Sequence, residues 1–423
     1  MRNIMTLIKK TYFSTLVKHL LMIIYIFAIA SGIRADTNND EKIITLEQEY
    51  SKWTNWVLEL KFKQSRRILR VGDNKEYKNI IHAAENVRDG DIIEIDHGIY
   101  EGSEIIWKAN NIIIRAVNGR AHILNNNIIK NGKAIWLVNG DNVLIENIEF
   151  SGAKVPDNNG AGIRGAGKNL AIINCIFHDN QNGILVGKKE NSTVFIEGSE
   201  FYANGFEDGQ AHNVYIGAVD ALIFRNNYSH NAIIGHNLKS RAKNNYIIYN
   251  SLSDEENGKS SYAVDLPNGG MSYLIGNVLQ QSKYTQNNAL IAFGLEKNLY
   301  KNSNLILVNN TFFSEDNNTI YIKNTDKYET ILINNLFVGD GRVSKNNTVS
   351  KNNYGPISKE KFLDILTGVT ISDQNPKILD AGISSLIINR IDLSPMYQPE
   401  KTRILTKRKK IGEIDIGAVE YNM

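Results

Sequence analysis

Short apolar runs recur along most of the chain, each alternating apolar with polar residues and each closing on a turn rich in Asn, Gly or Asp. The runs 142–150 (NVLIENIEF), 169–177 (NLAIINCIF), 193–201 (TVFIEGSEF), 221–229 (ALIFRNNYS) and 244–252 (NNYIIYNSL) can be stacked on one another, and 272–280, 304–312 and 329–337 continue the series. From Phe150 their last positions advance by 27, 24, 28, 23, 28, 32 and 25 residues. A period of two within each run predicts short strands. A repeat of that length, built from strands and Asn-rich turns, predicts that each run belongs to one coil of a parallel β-helix. Asn stands near the end of most runs, at Asn147, Asn174, Asn227, Asn250, Asn277, Asn310 and Asn335, while one run has Gly198 and Ser199 instead. An Asn amide can bond to the Asn of the coils above and below while tolerating left-handed turn geometry. Leucine-rich repeats would need a Leu consensus that is missing here, and a β-sandwich would not keep the period.

Two helical patterns precede the repeats. Trp53, Trp56, Val57 and Leu60 share one face within the polar segment 36–65, and Ile80, Ala84 and Val87 share another within 76–88, with Gly90 as the stop. The expected division is a leader at 1–35, a polar segment with a short helix at 36–65, the β-helix at 66–345 and an extension completing or capping it at 346–423. The leader carries Lys9, Lys10 and Lys18 before the apolar run from Leu20 to Ile33, a length that suits a signal-peptide core better than the roughly 20 residues of a membrane span. Small residues at Ala28, Ala30 and Ala35 supply cleavage patterns. The chain is therefore expected to be exported, to the periplasm or beyond, touching a membrane only through this segment if it stays uncleaved.

Composition changes the picture in two places. The formal charge is +3, but residues 1–35 hold five basic residues and no acidic ones, which leaves the remainder at −2. Basicity thus resides in the leader, and no nucleic-acid partner is expected. The one cysteine, Cys175, excludes an internal disulfide framework and a cysteine-based metal site. It occupies a position filled by Ser199 or Asn227 in other repeats, which reads as a buried thiol.

Three features resemble the right-handed parallel β-helix proteins of the pectate-lyase-like superfamily: the run GDIIEIDHGIY (90–100), the coil series, and DIGAVEY (415–421) near the C-terminus. The resemblance spans roughly residues 66–421. It implies an all-β fold, a single-stranded right-handed solenoid of about ten coils with a short N-terminal capping helix. It also implies an exported bacterial protein acting on polysaccharides, and a monomer is expected.

A second strand lies in each coil between the runs above: 160–165 (GAGIRG), 182–187 (NGILVG), 212–217 (HNVYIG), 236–241 (HNLKSR), 262–267 (YAVDLP), 288–293 (NALIAF) and 318–323 (NTIYIK). Ile163, Ile184, Val214, Leu238, Val264, Leu290 and Ile320 share a column and should face inward. The next column faces solvent and reads Arg164, Leu185, Tyr215, Lys239, Asp265, Ile291, Tyr321. Tyr215, Lys239 and Asp265 should stack roughly 5 Å apart, with Arg241 on the same face roughly 7 Å from Lys239, and Asn213 and Asn237 on its other side. Parity turns His212 and His236 toward the core or a corner, where a stacked pair would orient its neighbours.

Such a patch suits an acidic glycan. In β-elimination from a uronate, a base removes the C5 proton while the adjacent carboxylate gains enolate character. Lys239 is the candidate base if Arg241 disfavours its protonated form. Arg241 would bind the carboxylate with its planar fork, and Tyr215 would protonate the departing oxygen. Asp265, Asn213, Asn237, His236, His212 and Arg164 are candidate substrate contacts. Lyases of the chondroitinase B and alginate lyase type use a Lys base and an Arg on such a face, although there the two sit on neighbouring coils and here they share a strand. Many such lyases bind calcium. Here Asp265 is the one carboxylate in the column, with Glu207 and Asp208 within reach from a loop, so no metal ligand set is assigned. A C5-epimerase shares the proton abstraction, and a non-catalytic glycan-binding or adhesin-like β-helix is the alternative from another class. Trp107 and Trp136 read as packing residues in early coils.

Overall fold

The computed structural model describes residues 42–206, 211–297, 299–344, 346–362, 378–409 and 412–421. The leader 1–35 and the loop residues Glu207 and Asp208 lie outside these. Among the described residues no helix is long and apolar enough to cross a membrane.

The chain winds as a parallel β-solenoid of about ten turns. One ladder is a ten-stranded sheet running from Ile105–Trp107 to Gly341–Ser344, and a larger sheet carries two strands from most coils. The parallel ladder begins at Ile68–Val71 and ends at Tyr354–Ile357. Alternation on each run is apolar on both sides, because both faces of this sheet are covered. Val143, Ile145, Leu170, Ile172, Val194 and Ile196 point into the axial core, whereas Leu144, Ala171 and Phe195 point out into a second cluster. Phe150, Phe177 and Phe201 stack within the axial core at 5.1 and 5.0 Å. Trp107 and Trp136 are fully buried there and pack edge to face.

The outer cluster is closed by the helix Leu46–Phe62. Its N-terminus is fixed by a capping box in which Thr45 accepts from the Gln48 backbone and Gln48 accepts from the Thr45 backbone. Leu46, Tyr50, Val57 and Leu60 are buried against the sheet's outer face, with Trp53 and Trp56 packed partly beside them. This helix therefore lies along the side of the solenoid. The short helix Ile80–Asn86 fills the capping role, inserting Ile80 and Ala83 beside Leu69, Val71 and Ile93 of the first coils. Residues 378–421 return along the flank: Leu386, Ile391 and Leu393 join the outer cluster, and Ile378 and Ile416 cover Leu336 and Val338.

The Asn-rich turns divide their work between two adjacent positions. The first adopts left-handed backbone in every coil: Asn147, Asn174, Gly198, Asn226, Tyr249, Gly276, Asn309, Asn334 and Asn352 all have φ between 50° and 63°. The second turns inward and forms a ladder, in which the side-chain amides of Asn227, Asn250, Asn277, Asn310 and Asn335 each donate to the Oδ1 of the next Asn, ending at Asn353. Asn147 and Asn174 thus belong to the turn column and not, as the aligned runs suggest, to the ladder. Cys175 and Ser199 stand at the ladder position in the earlier coils, where the Cys175 N–H donates to Ser199 and the Ser199 N–H to Asn227. Burial pushes the Cys175 thiol up to about 12.

Candidate active face

The strands Val214–Ile216, Leu238–Ser240 and Val264–Leu266 lie side by side, with Tyr215 opposite Lys239 and Lys239 opposite Asp265. Leu238 and Val264 pair on the inner side and are fully buried. The expected column holds from Arg164 through Leu185 to Asp265 and then slips by one residue. Asp265 pairs with Ala292, and Ala292 with Lys323. Ile291, expected to face solvent, pairs with Val264 in the core. Tyr321, also expected outside, is buried against Phe312 and Phe337 and donates its hydroxyl to the Val338 carbonyl. A one-residue shift exchanges faces, and this register buries Ile291, Phe293 and Ile322 while leaving small Ala292 in the outward column.

Four ionic groups meet on the open side of these strands. Lys239 Nζ lies 2.6 Å from Asp265 Oδ2 and 3.6 Å from Glu296 Oε1. Arg241 donates from Nη1 and Nη2 to the two oxygens of Glu296 at 2.6 and 2.9 Å, from Nη1 also to Asn268, and from Nε to the Tyr215 hydroxyl at 3.1 Å. Tyr300 donates to the Arg241 carbonyl, fixing the backbone beneath the guanidinium. Glu296 is the most exposed member, at 45% of its side chain, so it closes the cluster from the solvent side. The Arg241 hydrogen bonds hold the Glu296 carboxyl below its ordinary range and raise the guanidinium in turn. Burial pushes Asp265 up, but the His236 hydrogen bond and the Lys239 charge outweigh it and the carboxyl ends below its ordinary value.

Simple parity fails at Asn213 and Asn237, and this changes the environment of four candidate contacts. Asn213 and Asn237 are fully buried: Asn213 donates to Ser229 and Asn237 and accepts from Asn204, and Asn237 donates to Ser260. They form an internal corner ladder, and the expectation that they contact substrate is corrected: their amides are consumed by the fold. Because each Asn turns inward beside an inward Val or Leu, the preceding histidine is carried to the same side as Tyr215. His212 stacks on Tyr215 at 5.6 Å, and His236 reaches Asp265 Oδ2 at 3.2 Å. The two imidazoles meet edge to face at 4.7 Å. Burial, then the neighbouring His236, Lys239 and Arg241, hold His212 well below its ordinary value.

Arg164 lies two strands from Tyr215 along the outward column, roughly 10 Å away at one strand spacing per coil, and its Nη1 has no hydrogen-bond partner. Among the described residues, the carboxylates on this face, Asp265 and Glu296, are both paired with cations. Glu296, Asn268 and Tyr300 were not found from the sequence, because they sit on loops after strands and only strand positions could be stacked into columns.

A family model described as a right-handed β-helix region matches residues 110–279. Among solved structures, the chain is similar to pectate lyase Pel9A, with 16% identity and a TM-score of 0.57 over 85% of this chain and 98% of that one. An alginate lyase from Paenibacillus sp. aligns with 12% identity and a TM-score of 0.40, over 68% of this chain and 99% of that one. Pectin methylesterase PemA from Erwinia chrysanthemi aligns with 10% identity and a TM-score of 0.39, over 53% and 81%. No curated protein matches the chain in sequence. With the ladder, the coil count and the matched region in agreement, the chain has a right-handed parallel β-helix fold, similar to that of pectate lyase Pel9A.

Proposed function

We propose that this face is the active site of a polysaccharide lyase that cleaves a uronic-acid-containing glycan by β-elimination. The observation that carries the reading is the convergence of Lys239, Arg241 and Tyr215, one amine, one planar cation and one phenol, on the solvent side of two successive coils. Arg241 already holds a carboxylate in fork-to-fork geometry, that of Glu296. A uronate carboxylate bound in the same way would replace Glu296 and release its contact with Lys239.

The free amine of Lys239, formed by losing a proton to solvent, then takes the C5 proton. The electron pair moves into the C4–C5 bond as the C4–O bond breaks, while Arg241 stabilises the charge gathering on the carboxylate. Tyr215 donates its proton to the departing oxygen and is reprotonated from water. The Arg241 N–H on its oxygen favours the transient phenolate. Hydrolysis fits less well. A glycosidase needs one carboxyl kept protonated, whereas Asp265 and Glu296 are both held low by cations. Export of the chain, with its leader removed or retained as an anchor, belongs to the same proposal, since polymeric glycans lie outside the cytoplasm.

Incubation with a panel of polygalacturonate, alginate and glycosaminoglycans, followed by ultraviolet absorbance of the unsaturated uronate, tests the reading. Appearance of that chromophore with one member supports it. Inverted C5 configuration without chain cleavage would replace it with an epimerase, and tight binding without any product with a glycan-binding role.

A further inference from the structure

Away from the candidate active face, three ligand-type side chains meet on the outer side of the other sheet. His122, Glu149 and His178 come from the strands Ile113–Leu124, Ile148–Ser151 and Ile176–His178, which belong to three successive coils. Their ligand atoms all lie within 4.8 Å of one another. His178 Nε2 is 3.0 Å and His122 Nδ1 3.6 Å from the same oxygen, Glu149 Oε1. A tetrahedral zinc ion with bonds of 2.0–2.1 Å separates its ligand atoms by about 3.3 Å, between these two values.

The second nitrogen of each ring is also engaged. His122 Nε2 lies 2.7 Å from Ser151 Oγ, and His178 Nδ1 lies 2.7 Å from Asp179 Oδ2. Each imidazole therefore presents one nitrogen to the shared centre and is held by an outer oxygen on the other, the arrangement that fixes tautomer and ring angle in metal sites. Tyr202 stacks on His178 at 4.9 Å and 4° and limits its rotation. The three side chains keep 15–24% exposure, enough for a hydrated ion to arrive. Nearby Arg120 donates to the Asn174 carbonyl, and after the His178 hydrogen bond its charge helps hold the Glu149 carboxyl below its ordinary value.

The geometry points to a zinc-class divalent metal site formed by His122 Nδ1, His178 Nε2 and Glu149, with its fourth position open to water. Two nitrogens and one carboxylate suit such an ion and not calcium, which takes six to eight oxygens. Bound there, the ion would staple three coils together.

Calorimetric titration of the full chain with zinc and with calcium tests the site. One equivalent of zinc should bind, with calcium failing to compete, and the melting temperature should rise on zinc addition. Glu149→Gln and His178→Ala should each weaken zinc at least tenfold and abolish the rise. If His178→Ala does not fold, Ser151→Ala, which removes only an outer partner, should still weaken zinc by roughly tenfold. Cobalt in place of zinc should give the visible bands of a four-coordinate nitrogen–oxygen centre. Absence of stoichiometric zinc binding, or binding undiminished in Glu149→Gln, overturns the assignment.

Discussion

Replacing Arg241 by lysine keeps a positive charge on the strand and removes the planar fork. In the resting protein the guanidinium makes two bonds to Glu296, one to Asn268 and one to Tyr215. A lysine ammonium on a shorter set of donors can meet one carboxylate oxygen but cannot hold both and Tyr215 at once. If substrate binds as Glu296 does, the variant loses one charge-assisted hydrogen bond to the carboxylate and the orienting bond to the phenol. A hydrogen bond to a charged group contributes about 1.5–3 kcal/mol. The part realised only in the transition state should then lower kcat/KM by one to three orders of magnitude, roughly 1.4–4 kcal/mol. Initial rates of unsaturated product across a range of glycan concentrations measure this directly. The loss should fall on kcat as well as KM, because the carboxylate gains charge during the reaction. A variant with kcat/KM within twofold of the parent would refute the assignment of Arg241 to the substrate carboxylate.

Lys239→Ala should remove turnover by roughly 10²–10⁴-fold while leaving the circular dichroism spectrum unchanged, and retention of a tenth of the activity would disqualify it as the base. Glu296→Gln weakens the internal competitor for Arg241, so KM should fall several-fold with kcat little altered; an unchanged KM would show that substrate does not displace Glu296. The depressed Asp265 carboxyl stabilises the fold above its unfolded value near 3.9, and this contribution is lost as pH falls through the lower folded value. Melting curves of Asp265→Asn should therefore approach those of the parent below about pH 4 and differ from them at neutral pH. Asn277→Ala removes the oxygen that accepts from the Asn250 backbone N–H and side-chain amide, and the amide that donates to the Ile247 carbonyl and to Asn310, and should cost about 3–5 kcal/mol in urea unfolding.

The solenoid was legible because its repeat is written at one length scale and its strands at another, and both agree. The outward column was legible through Asp265 for the same reason: alternate residues face alternate sides. It failed where the backbone breaks that alternation. At Asn213 and Asn237 an amide satisfied inside the corner reverses parity, which a count of two cannot register. After Asp265, the loop before Ala289 sets a register that the pattern NALIAF leaves open, since apolar residues occupy both of its phases. Glu296 joins Arg241 from a loop, where no period exists to place it. His122, Glu149 and His178 lie on ordinary strand positions and were missed for a different reason. His122 stands opposite Glu149, but Glu149 stands opposite Ile176 and His178 opposite Ser151, so no column of paired positions aligns the three.

Between its rungs the ladder from Asn227 to Asn353 runs in one sense: each amide from Asn227 to Asn335 donates to the Asn of the coil that follows it, and also back to a carbonyl of the coil before. Aligned donors of this kind polarise one another, so each rung strengthens the next and a missing rung weakens both neighbours. The coils before Asn227 carry their coupled amides at a different corner, where Asn180 donates to Asn204, Asn204 to Asn213 and Asn213 to Asn237, while Cys175 and Ser199 link only through backbone N–H groups. A solenoid whose stability is a sum of coils and interfaces should then loosen where a rung is lost and keep the coils served by the other ladder. Amide hydrogen exchange in Asn277→Ala should therefore quicken in the strands between Ala221 and Val338 and stay as in the parent around Cys175.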